Sequence, residues 1–242
     1  MEEIAVAHTA LQSDLTLGRK MKIHTKQDGL PDLKNVQIAL IGISESRGAV
    51  DNIGTGKGLE IIRKYLYQMF PGNWHLNLAD LGNVPEGNEA GDTYYLIQEI
   101  LGELLEQKIT PIIIGGSQDI TYASYRAYDR FEKPVNIVSV DNRFDIGEMD
   151  PKLNAHNYLH YIVMDKPNNM FNYSNIGFQT FFNSQEEIDL MDKLFFEAFR
   201  LGEVSHDLTV VEPILRDADI VSIDLGSVRM SDAPANNNAV PN

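Results

Sequence analysis

Residues 135–145 read VNIVSVDNRFD, an apolar and β-branched run that ends abruptly in two aspartates four residues apart. A run of this kind suits a strand covered on both faces in a parallel sheet. The polar cluster then falls at the strand's carboxyl end, where open α/β sheets place their ligand sites. The rest of the chain has to be compatible with that strand.

Other segments repeat its design. Residues 36–43, VQIALIGI, predict a strand followed by a Gly-rich loop and a helix over 59–70, with Leu59, Ile62, Leu66 and Met69/Phe70 at helical spacing. Gly56-Lys57 suggests a phosphate loop, but the pattern fails at Asp51 and Gly58. A strand is expected over 74–81, ending at Gly82, and then a helix over 93–108 capped by Asp92, with Leu96, Ile100, Leu104 and Leu105 on one face. Residues 111–114 predict a short buried strand, and a helix starts near Gln118 or Asp119. Segments 159–164 and 174–178 read as weaker strands. Helices are expected at 185–201, opened by a Ser184/Glu187 capping box, and at 207–216. Residues 218–225, ADIVSIDL, again form a strand closed by an aspartate, and the tail has loop composition. Alternating strands and helices predict a three-layer α/β/α sandwich around a mainly parallel sheet, one domain over 1–242 with an extension at 1–35 and a core at 36–242.

Composition narrows the function. The net charge of −15, from 20 basic and 35 acidic residues, disfavours nucleic acid and anionic membranes as partners. With no cysteine, thiolate zinc sites and a cysteine nucleophile are excluded, so any metal must take oxygen or imidazole ligands. The amino terminus lacks a signal-peptide pattern and no apolar run is long enough to span a bilayer, which predicts a cytoplasmic protein.

Three strand ends are expected to meet: Gly115-Gly116-Ser117-Gln118-Asp119, Asp141-Asn142-Arg143-Phe144-Asp145 and Ser222-Ile223-Asp224-Leu225-Gly226. In extended chain Asp141, Arg143 and Asp145 share a side, as do Ser222, Asp224 and Gly226. Carboxylates so clustered need a cation or shared protons.

GGSQDIT, SVDNRFD and SIDLGSVRMSDAP resemble, in order and spacing, the three signatures of the arginase, agmatinase and formimidoylglutamase family, the manganese-dependent ureohydrolases. IGISESRGAVDNIGTGKGLEIIR resembles that family's opening strand and loop, in a version closest to the formimidoylglutamase branch. The resemblance implies, in active members, a manganese pair that activates a hydroxide against an amidino or guanidino carbon. It implies Asp141, Asp145 and Asp224 as retained metal ligands. Gln118 and Arg143 stand where the family has histidines, and Gly226 where it has an aspartate. His156 lies near a position where arginases place a histidine that assists proton transfer. His8, His24, His75, His160 and His206 show no ligand spacing.

Three expectations follow. In one the chain is a catalytically degenerate homologue that keeps the fold for binding or assembly and holds no metal. Arg143 then replaces the metal charge by bridging Asp145 to Asp141 or Asp224, while Gln118 fills the remaining polar volume. In the other it hydrolyses a linear amidine such as formimidoylglutamate, or an agmatine- or arginine-type substrate, with manganese or another hard cation on the three aspartates. A purely structural role without a ligand is the third possibility. A small amidino or guanidino molecule and a second copy of the chain are the expected partners, and the resemblance implies further strands beyond the third signature, so that the chain reads as C-terminally truncated.

Overall fold

The computed structural model describes residues 1–5, 12–147 and 152–237; His8 and the last five residues of the tail lie outside them. The chain divides into two compact units, one of Met1–Arg47 with Gly54–Ser117, the other of Gly48–Ile53 with Gln118–Asn242. Each carries its own four-stranded sheet, and every strand pairing is parallel. The α/β architecture expected from the alternation of strands and helices is the one observed.

The first unit runs α1 (Leu17–Lys20), β1 (Lys22–Ile23), β2 (Ile38–Ile43), α2 (Leu59–Gln68), β3 (Leu78–Val84), α3 (Ala90–Glu106) and β4 (Thr110–Ile114), in sheet order β1-β3-β2-β4. Strand β3 starts later than its alternation suggests and passes through Gly82, whose φ of 90° and close approach to Glu2 O suit only glycine. Helix α3 begins before Asp92, because Glu89 and Asp92 form a reciprocal capping box; its buried stripe is Ile97, Leu101 and Leu104, and Leu96 is exposed. Strand β4 is only half-covered, a consequence of its place at one margin of this sheet.

Helix α2 departs furthest from its sequence pattern. Its buried face is Leu59, Arg63 and Tyr67, while Ile61, Ile62, Tyr65, Met69 and Phe70 are exposed. Asp80 on β3 explains the inversion: Arg63 reaches it through Nε and Nη2 at 2.8 and 3.0 Å, and Tyr67 OH donates to it at 2.8 Å. A bidentate pair with its remaining lone pairs satisfied can be buried where a lone guanidinium could not.

The second unit runs α4 (Ile120–Arg126), β5 (Val135–Val140), α5 (Tyr158–Met164), β6 (Met170–Phe178), α6 (Gln185–Lys193), β7 (Glu197–Arg200), α7 (Leu201–His206), α8 (Glu212–Arg216) and β8 (Ile220–Ile223), in sheet order β7-β6-β5-β8. The segment read as a strand over 159–164 is helix α5, which buries Tyr158, Leu159 and Ile162 at helical spacing. The expected helix over 185–201 keeps its Ser184/Glu187 capping box but ends at Lys193, where Phe195 takes φ 58° and turns the chain into β7. Residues 207–216 form a 3-10 turn and the short α8 rather than one helix.

Helices α4, α5 and α6 cover one face of this sheet through Tyr125, Val135, Ile137, Tyr158, Leu159, Ile162, Tyr173 and Met191, and Phe144 joins this core from the loop after β5. Burying each such large side chain contributes about 1.5–3 kcal/mol. The core therefore holds the end of β5, and with it the aspartates, in a fixed place.

Candidate functional site

All seven residues marked by the sequence as retained ligands, substituted positions or proton-transfer candidate lie in the second unit. Asp141 closes β5, and its N–H donates to Ile176 O on β6. Asp224 closes β8, and its N–H donates to Val140 O, so the parallel β5–β8 register carries the two carboxylates to the same edge. Gly115–Ser117 belongs to the first unit, so of that strand end only Gln118 and Asp119 are described with the site.

The loop after β5 is held by amides. Asn183 donates from Nδ2 to Asn142 O at 3.0 Å and accepts from Phe144 N–H at 2.8 Å. Asn175 Nδ2 donates to Arg143 O at 2.8 Å, and Asn142 Nδ2 to Gly226 O at 2.9 Å. This scaffold places Asp145 at φ 51° with its side chain turned inward and only 4 % of the residue exposed.

The carboxyls crowd one another. Asp141, 2 % exposed, accepts from Arg143 N–H through Oδ1 at 3.0 Å, while its buried Oδ2 has no hydrogen-bond partner. Burial, then the charge of Asp224, pushes the Asp141 carboxyl up to about 6. Asp145 is raised well above the carboxylate range by burial and then by Asp141. Burial also raises Asp224, against the opposing pull of the Gly226 N–H, His156 and Arg143. Crowded and buried together, these carboxyls hold their protons more tightly than isolated ones, and a cation beside them would oppose that shift.

Arg143 and Gly226 offer no ligand atom at the substituted positions, and Gln118 offers an amide in place of an imidazole. Gln118 Nε2 points to the hydroxyls of Ser139 and Tyr158 at 3.3 and 3.5 Å, two residues that the sequence had not marked. Ser139 could have been found, since it lies two residues before Asp141 on the same face of β5. Gly226 is buried, its N–H donates to Asp224 Oδ1, and a Cβ there would stand 2.7 Å from that oxygen.

Arg143 corrects the expectation of an internal ion pair. Its guanidinium lies over the Phe182 ring, 5.2 Å from the centroid, and Nη1 donates to Phe182 O at 3.3 Å. Among the described residues no carboxylate stands within 4 Å of it. The reason is geometric: the Arg143 N–H is already turned to Asp141, and Phe182 offers both a π-face and a carbonyl on the other side. Its charge is still felt, lowering the proton affinity of Asp145 and Asp224.

His156 sits in the loop before α5, its N–H on Asn154 Oδ1 at 2.9 Å. Burial and then Arg143 lower its pKa, with Asp51 and Asp224 pulling the other way, so the ring lies at the border of the acidic group. The approach depends on Gly147, where a Cβ would meet His156 O at 2.6 Å.

Among the described residues no three His, Asp or Glu side chains converge as ligands of one ion, and Gln118 and Arg143 stand where the resemblance implies imidazoles. Among those residues, too, no helix is long and apolar enough to cross a membrane.

Comparison with known proteins places this arrangement. The chain is 26% identical over 132 residues to the formimidoylglutamase of Staphylococcus haemolyticus, and 24% over 139 residues to that of Streptococcus gordonii. These matches take in 50% and 53% of the chain but only 42% and 41% of the relatives' length. Among solved structures it is similar to formimidoylglutamase from Bacillus subtilis, with a TM-score of 0.81 at 16% identity over 98% of this chain and 79% of that one. It is also similar to Trypanosoma cruzi formiminoglutamase with Mn2+2, at TM-score 0.75 and 20% identity over 84% and 74% of the two chains. The family model described as the arginase family matches residues 36–242, and the chain belongs to that family.

Proposed function

We propose that this protein is a binding member of the arginase family that has given up the manganese pair, and that its crevice takes a small amidino or guanidino molecule without hydrolysing it. One observation carries the reading: Gln118, Arg143 and Gly226 have each settled into non-ligating partnerships, with Ser139 and Tyr158, with Phe182, and with Asp224. Metal-hydroxide chemistry needs an open ligand set around the ion, and the present residues lack the imidazoles that would complete it. The family membership and the likeness to formimidoylglutamases support the amidino class of ligand.

The test is release of ammonia, formamide or urea from formimidoylglutamate, agmatine and arginine after incubation with excess manganese, beside metal analysis of the protein. No turnover, no retained metal pair and thermal stabilisation by an amidino compound are expected. Turnover that disappears in Asp141→Asn would overturn the reading and establish an active linear-amidine hydrolase.

A further inference from the structure

Helix α2 carries two apolar faces. The inner one holds Leu59, Arg63 and Tyr67, and the Arg63–Asp80 pair fixes the helix on that side. A surface helix ordinarily turns polar groups outward. Here the outward side presents Ile61, Ile62, Tyr65 and Met69, and the chain leaves the helix through Phe70 and Trp74, which are exposed as well. The Trp74 N–H donates to Pro71 O and the Leu17 N–H to Met69 O, so the segment after the helix is held in a turn and the helix end is tied to α1.

The outer face is complementary to itself. Ile61, Tyr65 and Met69 stand four residues apart with Tyr65 in the middle. Side chains so spaced lie on one side of a helix, and an antiparallel copy sets Ile61 against Met69 and Tyr65 against its own counterpart. The net charge of −15 opposes association in general, but residues 59–76 hold one acid, Glu60, against Arg63 and Lys64. Tyr65, Phe70 and Trp74 are 67 %, 64 % and 75 % exposed. Aromatic side chains bring about 150–250 Å² each, so with Ile61, Ile62 and Met69 the face offers on the order of 600 Å² of apolar area. Two copies would bury about twice that, above the roughly 1,000 Å² in total that a specific interface needs. A membrane fits less well. A helix lying on anionic lipid lines its polar flank with Lys and Arg, whereas the exposed flank here is Glu60, Lys64 and Gln68.

We infer that the outer face of α2 is the contact of a twofold-symmetric homodimer, with Tyr65 on the axis. The arginine that would ordinarily mark the solvent side of this helix is drawn inward by Asp80, and the apolar stripe left outside is covered by the same stripe of a second chain.

Sedimentation velocity of the full chain should show a dimer at micromolar concentration. Tyr65→Lys with Met69→Lys should raise its dissociation constant at least about thirtyfold, the scale of an interface hot spot, because each substitution enters the contact twice. Both positions are exposed, so circular dichroism and the denaturation midpoint of the variant in its monomeric range should show an intact fold. The chain has no cysteine, so Tyr65→Cys introduces a single thiol, which on mild oxidation should give disulfide-linked dimers, while Glu103→Cys on the exposed face of α3 should not. A monomer at every concentration, a dimer that survives the double lysine variant, or cross-linking at 103 as readily as at 65 would overturn the inference. So would flotation of the monomer with phosphatidylglycerol vesicles that is lost in the lysine variant, which would assign the face to a membrane.

Discussion

The buried amide of Gly226 donates to Asp224 Oδ1, and the space beside it is so tight that a β-carbon would stand 2.7 Å from the same oxygen. Restoring the family's aspartate at this position therefore displaces Asp224. Gly226→Asp alone is expected to destabilise the fold by about 1–3 kcal/mol, measured by urea denaturation. Combined with Gln118→His and Arg143→His, it should raise manganese affinity above that of any single variant, because only the triple variant supplies both imidazoles. Isothermal titration with manganese checks this, and an unchanged affinity would show that the ancestral geometry is gone.

The crowding of carboxyls predicts an inverted pH response. A carboxyl raised from the ordinary 3.8 to about 6 in the fold weighs against folding when it is charged, so the cost is full above pH 6 and absent below 3.8. With chelator present, Asp141→Asn should stabilise the protein at pH 7.5 by about 1–3 kcal/mol, and the gain should vanish near pH 4. Chemical denaturation at the two pH values measures it; a loss of stability at pH 7.5 would mean that the charge has a counter-ion.

Arg63 and Asp80 form a buried ion pair in the first unit, with relative side-chain exposures of 1 % and 0 %. Removing one partner leaves the other charged and dry. Arg63→Ala should cost about 3–5 kcal/mol, and Asp80→Ala a comparable amount, in denaturant titrations.

Phe195 holds φ 58° and is 89 % exposed, an aromatic residue in the left-handed position that follows a helix. Phe195→Gly should stabilise the fold by about 1 kcal/mol, because the left-handed conformation penalises a β-carbon and little packing is lost. A fall in the thermal midpoint would contradict this.

How far the sequence could be read depended on whether the deciding partner was close by in the chain. The run of β5 and the Ser184/Glu187 box are complete local signals, and both were legible. Helix α5 was not: a six-residue apolar run fits strand and helix alike until its packing partners are known. The exposed stripe of α2 could not be foreseen either, since Asp80, which draws Arg63 inward, comes 17 residues later. The three aspartates and three substituted positions were marked by the resemblance of their motifs to the family's signatures. The direction of Arg143 did not, because Phe182, which receives it, lies 39 residues on.

The amides of Asn142, Asn175 and Asn183, which suspend the loop after β5, carry no charge and do not titrate. These amide bonds keep their partners whatever the aspartates hold, even though the Arg143 and Gly226 N–H groups also donate to Asp141 and Asp224. Such a frame lets the chemistry of the crevice be rewritten at 118 or 143 without dismantling the loop, whereas a side chain at 226 presses on Asp224 itself.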